Sequence, residues 1–162
     1  MNETRVGIGI DAHALVEGVT LVLGGVPFPD EPAGLAGHSD GDVIAHALID
    51  AVLGAAGLGD IGTLFPSGDP QWQGASSLDL LRGAYAEVTA AGYELVNADC
   101  VLVGERPRLL PVRDEMRRRL AAALDVDPDR VTVRATTTDG LGFTGRGEGL
   151  AAQAVALLRR ST

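Results

Sequence analysis

Apolar residues fall at alternate positions or in short runs along this chain, and glycine or proline punctuates them. Residues 5–12 (RVGIGIDA) alternate as a strand does, and 19–26 (VTLVLGGV) read as a second strand. Pro27, Pro29 and Pro32 impose a loop up to Gly37. Ser39 or Asp40 is placed to cap a helix over 41–56, with the stripe Ile44, Ala47, Leu48, Ala51 and Ala55. A loop over 57–74 follows, then a helix from Ser76 or Ser77 to a glycine cap at Gly92. Residues 94–104 read as a strand buried on both faces at Val101, Leu102 and Val103. A helix over 111–124, a strand over 131–137 and a last helix over 148–159 complete the pattern. The order β-β-α-α-β-α-β-α predicts an α/β (α+β) sandwich, a single mixed sheet with helices packed on it, in one domain spanning 1–162.

Composition narrows the class. With 46% hydrophobic and 22% charged residues, 162 residues suffice for one core and are not disordered in character. Apolar stretches are interrupted well short of membrane-spanning length, which predicts no membrane partner. The strand pattern begins at Arg5, leaving residues 1–5 too short for a leader, and the single cysteine, Cys100, suits a reducing cytoplasm. A net charge of −9 argues against nucleic acid as a partner. A phosphorylated ligand would need local arginines, backbone amides or cations.

Three segments hold the candidate chemistry. Asp11 and His13 are two apart on a strand and project to one side, either as a solvent-facing pair or as ligands. In the segment 38–46 (HSDGDVIAH), Asp42 and His46 share a helix face that Asp50 extends. Acidic residues at a helix start satisfy the helix dipole without further purpose. The placement of all three histidines, His13, His38 and His46, in polar clusters has no such explanation. One Asp and two His with an open fourth position would make a catalytic zinc site. The third segment, 135–149 (ATTTDGLGFTGRGEG), joins hydroxyls and an acid to a glycine-rich loop leading into a helix. It reads equally as a phosphate cradle served by Arg146 or as a turn with an Arg146–Glu148 surface pair.

The segments GIDAH (9–13), GHSDGDVIAHAL (37–48), LGDIGTLFP (58–66) and ATTTDGLGFTGRGEG (135–149) together resemble the 2-C-methyl-D-erythritol 2,4-cyclodiphosphate synthase family over nearly the whole chain. The resemblance implies an isoprenoid-precursor cyclase that converts 4-diphosphocytidyl-2-C-methyl-D-erythritol 2-phosphate to the cyclic diphosphate and CMP. It implies a homotrimer with active sites between subunits, one zinc per subunit and one magnesium or manganese per active site. Asp11, His13 and His46 would be zinc ligands, with Asp11 and His13 also near substrate. His38 and Thr137 would stabilise the transition state, with Ser39 touching substrate.

Asp60, Ile61 and Gly62 match the segment that holds the methylerythritol moiety, and Phe65, Pro66, Ser67, Gly68 and Asp69 a flexible substrate loop. Gly104, Glu105, Arg106, Pro107, Arg108, Leu109 and Leu110, with Thr136, Thr137, Thr138 and Asp139, match a cytidine and diphosphate pocket from the neighbouring subunit. Phe143 and Arg146 complete the set. Asp139, implied as the second metal's ligand, stands where the family commonly has Glu. Arg108 stands for Lys, and Ser67-Gly68 for a more acidic loop. Two alternatives stay open: a zinc phosphohydrolase, and a trimeric module binding an isoprenoid diphosphate in a central cavity near Phe143, Arg146 and Glu148.

Overall fold

The structure, a computed structural model, describes residues 3–162. Met1 and Asn2, over which the no-leader expectation extends, lie outside the described residues. The strands are β1 (Thr4–Glu17), β2 (Leu21–Leu23), β3 (Val26–Phe28), β4 (Ala33–Leu35), β5 (Tyr93–Val103), β6 (Val131–Thr136) and β7 (Gly149–Arg160). The helices are α1 (Val43–Ala56), α2 (Ile61–Leu64), α3 (Ser77–Ala90), α4 (Arg113–Ala123) and α5 (Gly142–Gly145). Five strands form one mixed sheet in the order β4-β1-β7-β5-β6, in which only β5 and β6 run parallel. A separate β2–β3 hairpin replaces the single strand expected over 19–26.

The expected final helix over 148–159 is strand β7, a central member of the sheet. Its alanines favour a helix locally, but Leu150, Ala152, Ala154, Ala156 and Leu158 are all buried at every second position. Their period of two, together with ladders to β1 and β5, overrides propensity. β1 also runs past the expected end at Ala12, so Asp11 and His13 lie inside the strand rather than at its tip.

Packing of α1 on β1 follows from side-chain size. Gly7, Gly9, Asp11 and His13 share one strand face, because successive residues alternate. A Cβ at Gly7 would lie 2.0 Å from the Ala51 carbonyl oxygen, and one at Gly9 1.8 Å from that of Ala47. Helix backbone therefore rests directly on strand backbone. The opposite face of β1 carries Val6, Ile8 and Ile10, each at least 60% exposed. All the large helices cover one side of the sheet, so Val101 and Val103 are only half-buried, against the two-sided burial expected for β5. Cys100, on the helix side, is fully buried. Among the described residues no helix is long and apolar enough to cross a membrane.

Gly9→Ala is expected to cost at least about 3 kcal/mol in urea unfolding, because neither backbone can yield. Gly54→Ala, on the exposed side of α1 with nothing within 4 Å of the new Cβ, should instead stabilise by about 0.5–1 kcal/mol. Equal effects of the two substitutions would contradict the close contact.

Candidate active site

Beyond Gly9 the same strand face presents Asp11 and His13, and beyond Ala47 the helix presents His46. Asp11 Oδ2 lies 2.8 Å from His13 Nε2 and 3.0 Å from His46 Nδ1, and the two ring nitrogens are 3.3 Å apart. One ligand atom from each of the three residues falls within 4.8 Å of the others, a set able to hold a metal ion. Burial pushes the Asp11 carboxyl up, but hydrogen bonds from His13 and His46 outweigh it and hold the pKa down at about 2. The Asp11 hydrogen bond raises the His13 pKa, against burial.

The start of α1 fixes where His46 sits. Its N-cap is Asp42, not Ser39 or Asp40 as the sequence suggested. The Asp42 carboxylate is fully buried and accepts from the backbone N–H groups of Gly24 (2.9 Å), Gly25 (2.7 Å) and Ala45 (3.1 Å). Burial raises its pKa to about 6, and these three donors work in the other direction. Asp42 thus belongs to the scaffold, joining α1 to the β2–β3 turn. Asp50 likewise accepts from the Ile61 N–H at 2.7 Å and anchors the start of α2. On its far side, His46 Nε2 meets Ser77 Oγ at 2.9 Å and Ser39 Oγ at 3.0 Å.

The triad forms one wall of a cavity of about 320 Å³ that His38, Ser39, Ile61, Gly62, Phe65 and Ser67 also line. Asp60 caps α2, accepting from the Thr63 N–H at 3.0 Å. In the loop 65–76, the His38 Nε2–H donates to the Asp69 carbonyl at 3.0 Å, and Pro66 and Gly68 lie on the same loop. Two further lining residues, Trp72 and Leu80, escaped the sequence reading. Trp72, the only tryptophan, packs edge-on against Phe65 with centroids 5.0 Å apart. An aromatic residue isolated in the polar run DPQWQG was the available signal.

The family model described as the YgbB family matches residues 4–159. The chain belongs to the YgbB family. It is 59% identical over 154 residues to a 2-C-methyl-D-erythritol 2,4-cyclodiphosphate synthase of Moorella thermoacetica, covering 95% of this chain and 94% of the relative. A solved structure of 2C-methyl-D-erythritol-2,4-cyclodiphosphate synthase in a CDP-bound form matches with TM-score 0.85 and 43% identity, over 95% of this chain and 99% of that one. The bifunctional IspDF of Campylobacter jejuni matches with TM-score 0.94 and 44% identity over 99% of this chain. This chain spans 43% of that longer protein.

In this YgbB-family chain the remaining predicted residues lie elsewhere. Register places Ala12, Ala151, Val103 and Thr136 in one row across β1, β7, β5 and β6. Thr136 is therefore level with the triad but three strands away, about 14 Å at ordinary strand spacing. Around it, Thr137 Oγ1 donates to Asp139 Oδ1 at 3.2 Å, and Thr138 Oγ1 to the Leu141 carbonyl at 2.6 Å. Glu105 accepts from the Gly140 N–H at 3.3 Å, tying the 104–110 segment to this turn. Arg106 pairs with Glu31 at 2.9 Å, while Pro107 and Arg108 line a second cavity of about 340 Å³. Leu109 is buried in the core, Leu110 is exposed, and Gly104 directly follows the last residue of β5. The glycine-rich segment leads through α5 into β7, not into a long helix, and Arg146 pairs with Glu148 at 3.0 Å on the surface. Phe143 and Glu148 line a separate cavity of about 270 Å³ on which His13 also borders.

Asp42→Ala should lower unfolding free energy by about 2–3 kcal/mol, since it strands three N–H groups. The Asp11–His13 pair gives a pH signature in metal-free protein. The depressed Asp11 pKa contributes stability above its unfolded value of 3.8 that is lost as pH falls toward about 2. The raised His13 pKa contributes stability below its unfolded 6.5 that fades as pH rises through the higher folded value. After chelation, Asp11→Asn should therefore lower the melting temperature more at pH 5 than at pH 8.5. The reverse order would show that the pair does not carry charge.

Proposed function

We propose that this YgbB-family chain is a 2-C-methyl-D-erythritol 2,4-cyclodiphosphate synthase of the isoprenoid-precursor pathway, with Asp11, His13 and His46 as its zinc ligands. The observation that carries the reading is the convergence of these three donors on the wall of the 320 Å³ cavity. Donor atoms around a tetrahedral zinc at about 2.0–2.1 Å stand about 3.3 Å apart. The 3.3 Å between His13 Nε2 and His46 Nδ1 fits that spacing. Two imidazoles and a carboxylate also suit zinc chemically.

In the cyclisation, an oxygen of the substrate's 2-phosphate bonds to the β-phosphorus. The bond from that phosphorus to the α–β bridging oxygen breaks, and its electron pair leaves with CMP. The nucleophile belongs to the substrate, so the protein supplies none. Cys100 suits no such role, since burial pushes its thiol pKa up to about 12. What the residues supply is folding of the substrate and neutralisation of charge. In this reading His38 and Ser39 hold the phosphate end, Asp60, Ile61 and Gly62 the methylerythritol moiety, and Phe65 to Asp69 close over it. Bound zinc would polarise the β-phosphate, and a magnesium or manganese ion at Asp139 would offset charge on both phosphates. One carboxylate amid hydroxyls suits such an ion, which keeps waters and takes phosphate oxygens.

The cytidine and diphosphate pocket, residues 104–110 and 136–139 with Thr137, would come from a neighbouring subunit. Two features support this: the two halves sit three strands apart in one chain, and β1 leaves an apolar stripe exposed. Val6, Ile8 and Ile10 with Val155 of β7 suit burial against copies of the chain in a homotrimer.

Phosphorus NMR of the protein with substrate should show a cyclic diphosphate and CMP; inorganic phosphate as the product would instead indicate a hydrolase. His46→Ala should fold but lose zinc by elemental analysis and lose turnover. Stoichiometric zinc in that variant would refute the ligand set. Asp139→Asn should lower the apparent affinity for magnesium or manganese and reduce turnover, with zinc content unchanged. Mixed after co-refolding, His46→Ala and Asp139→Asn chains should show more activity than either has alone, because some interfaces then combine two intact halves. No recovery would argue for a site within one chain.

A further inference from the structure

We propose that Ser77 is a positioning residue that commits His46 to one tautomer, with Asp40 as the group that commits Ser77. The proposal rests on the reading of His46 as a metal ligand. It follows from counting protons behind the ring. Ser77 is fully buried at the start of α3 and lies among three polar groups. Its hydroxyl donates to Asp40 Oδ1, and its backbone N–H donates to Asp40 Oδ2 at 3.0 Å. Asp40 Oδ1 also accepts from the Asp42 N–H at 3.0 Å, so the carboxylate is held at both oxygens.

A carboxylate only accepts, so the single hydroxyl proton of Ser77 points at Asp40. Ser77 Oγ then has only lone pairs to offer His46 Nε2, 2.9 Å away. The proton of the neutral ring must sit on Nε2, which leaves Nδ1 as a bare lone pair. Nδ1 is the atom that faces Asp11 Oδ2 at 3.0 Å and His13 Nε2 at 3.3 Å. A ring lone pair beside a carboxylate oxygen is the arrangement in which both can serve as donors to one cation. Ser39 Oγ, 3.0 Å from the same Nε2, accepts from the Gly41 N–H at 3.4 Å and lies 3.4 Å from Ser77 Oγ, so its own proton has Ser77 Oγ to go to and it too can offer Nε2 a lone pair. The Asp40–Ser77 pair alone makes the choice, and it also sets the plane of the ring.

A fully buried serine at a helix start could be merely structural, so the test reads the ring and the metal rather than turnover. Nitrogen-15 NMR of the zinc-loaded wild type should show His46 with Nε2 protonated and Nδ1 coordinated. Competition titration with a chromophoric chelator should show zinc affinity about 10–100-fold weaker in Ser77→Ala, with Ser77→Thr restoring it. Coordination through Nε2 would overturn the proposal, and so would Ser77→Ala affinity equal to wild type. If Ser77→Ala fails to fold, the wild-type spectrum can still overturn the proposal, and the zinc affinity of Asp40→Asn, expected to fall as in Ser77→Ala, tests the Asp40–Ser77 pair. Zinc retained at full stoichiometry in His46→Ala would instead overturn the ligand reading, and this proposal with it.

Discussion

The contact of α1 with β1 over bare glycine backbone is the constraint on which the site depends. A helix usually stands off a sheet by the thickness of two side-chain layers. Here Gly7 and Gly9 remove one layer, and Ala47, Ala51 and Ala55 keep the other thin. The row of small residues then gives way, at one end of both elements, to Asp11, His13 and His46. These side chains meet because the backbones are already too close for anything bulkier between them. The same closeness explains the alanines on the helix side of β7, which also lies beneath α1.

Around that junction the polar groups divide by depth. Asp42, Asp40 and Ser77 are satisfied by backbone donors or by each other, and they brace the first turns of α1 and α3. Asp11 and the two ring nitrogens remain as a cluster whose attraction is mutual but whose valences point inward. In a chain of net charge −9 this arrangement gives an anionic substrate no direct welcome. A cation held at the cluster would reconcile an acidic protein with the proposed diphosphate ligand.

Much of this was legible in the chain itself, for identifiable reasons. The helices over 43–56, 77–90 and 113–123 carry period-3.6 stripes and clear glycine or polar ends, so only their boundaries moved. Strand β7 was misread because its buried residues are mostly alanine, whose local preference is helical and whose alternation with Gln153 and Val155 is easily overlooked. The spacing of Asp11 and His13 showed a shared face, yet nothing local linked it to His46, 33 residues on. That link is made by the glycines, whose meaning appears only when α1 is seen lying on them. Ser77 read as a helix cap, because its true partners, Asp40 and His46, are brought to it by the loop that docks on residues 38–40.

The pairing of Thr4 with Arg159 has a consequence for how the domain can be joined to others. The first and last strands are neighbours in the interior of the sheet, so the start of β1 and the end of β7 lie side by side at one end of it. From that pair to the His13–Leu150 pair is nine residues, or about 30 Å of strand. A second module joined at either of these strand ends would thus hang from the pole opposite the triad, away from that cavity but beside Val6, where the exposed apolar stripe begins.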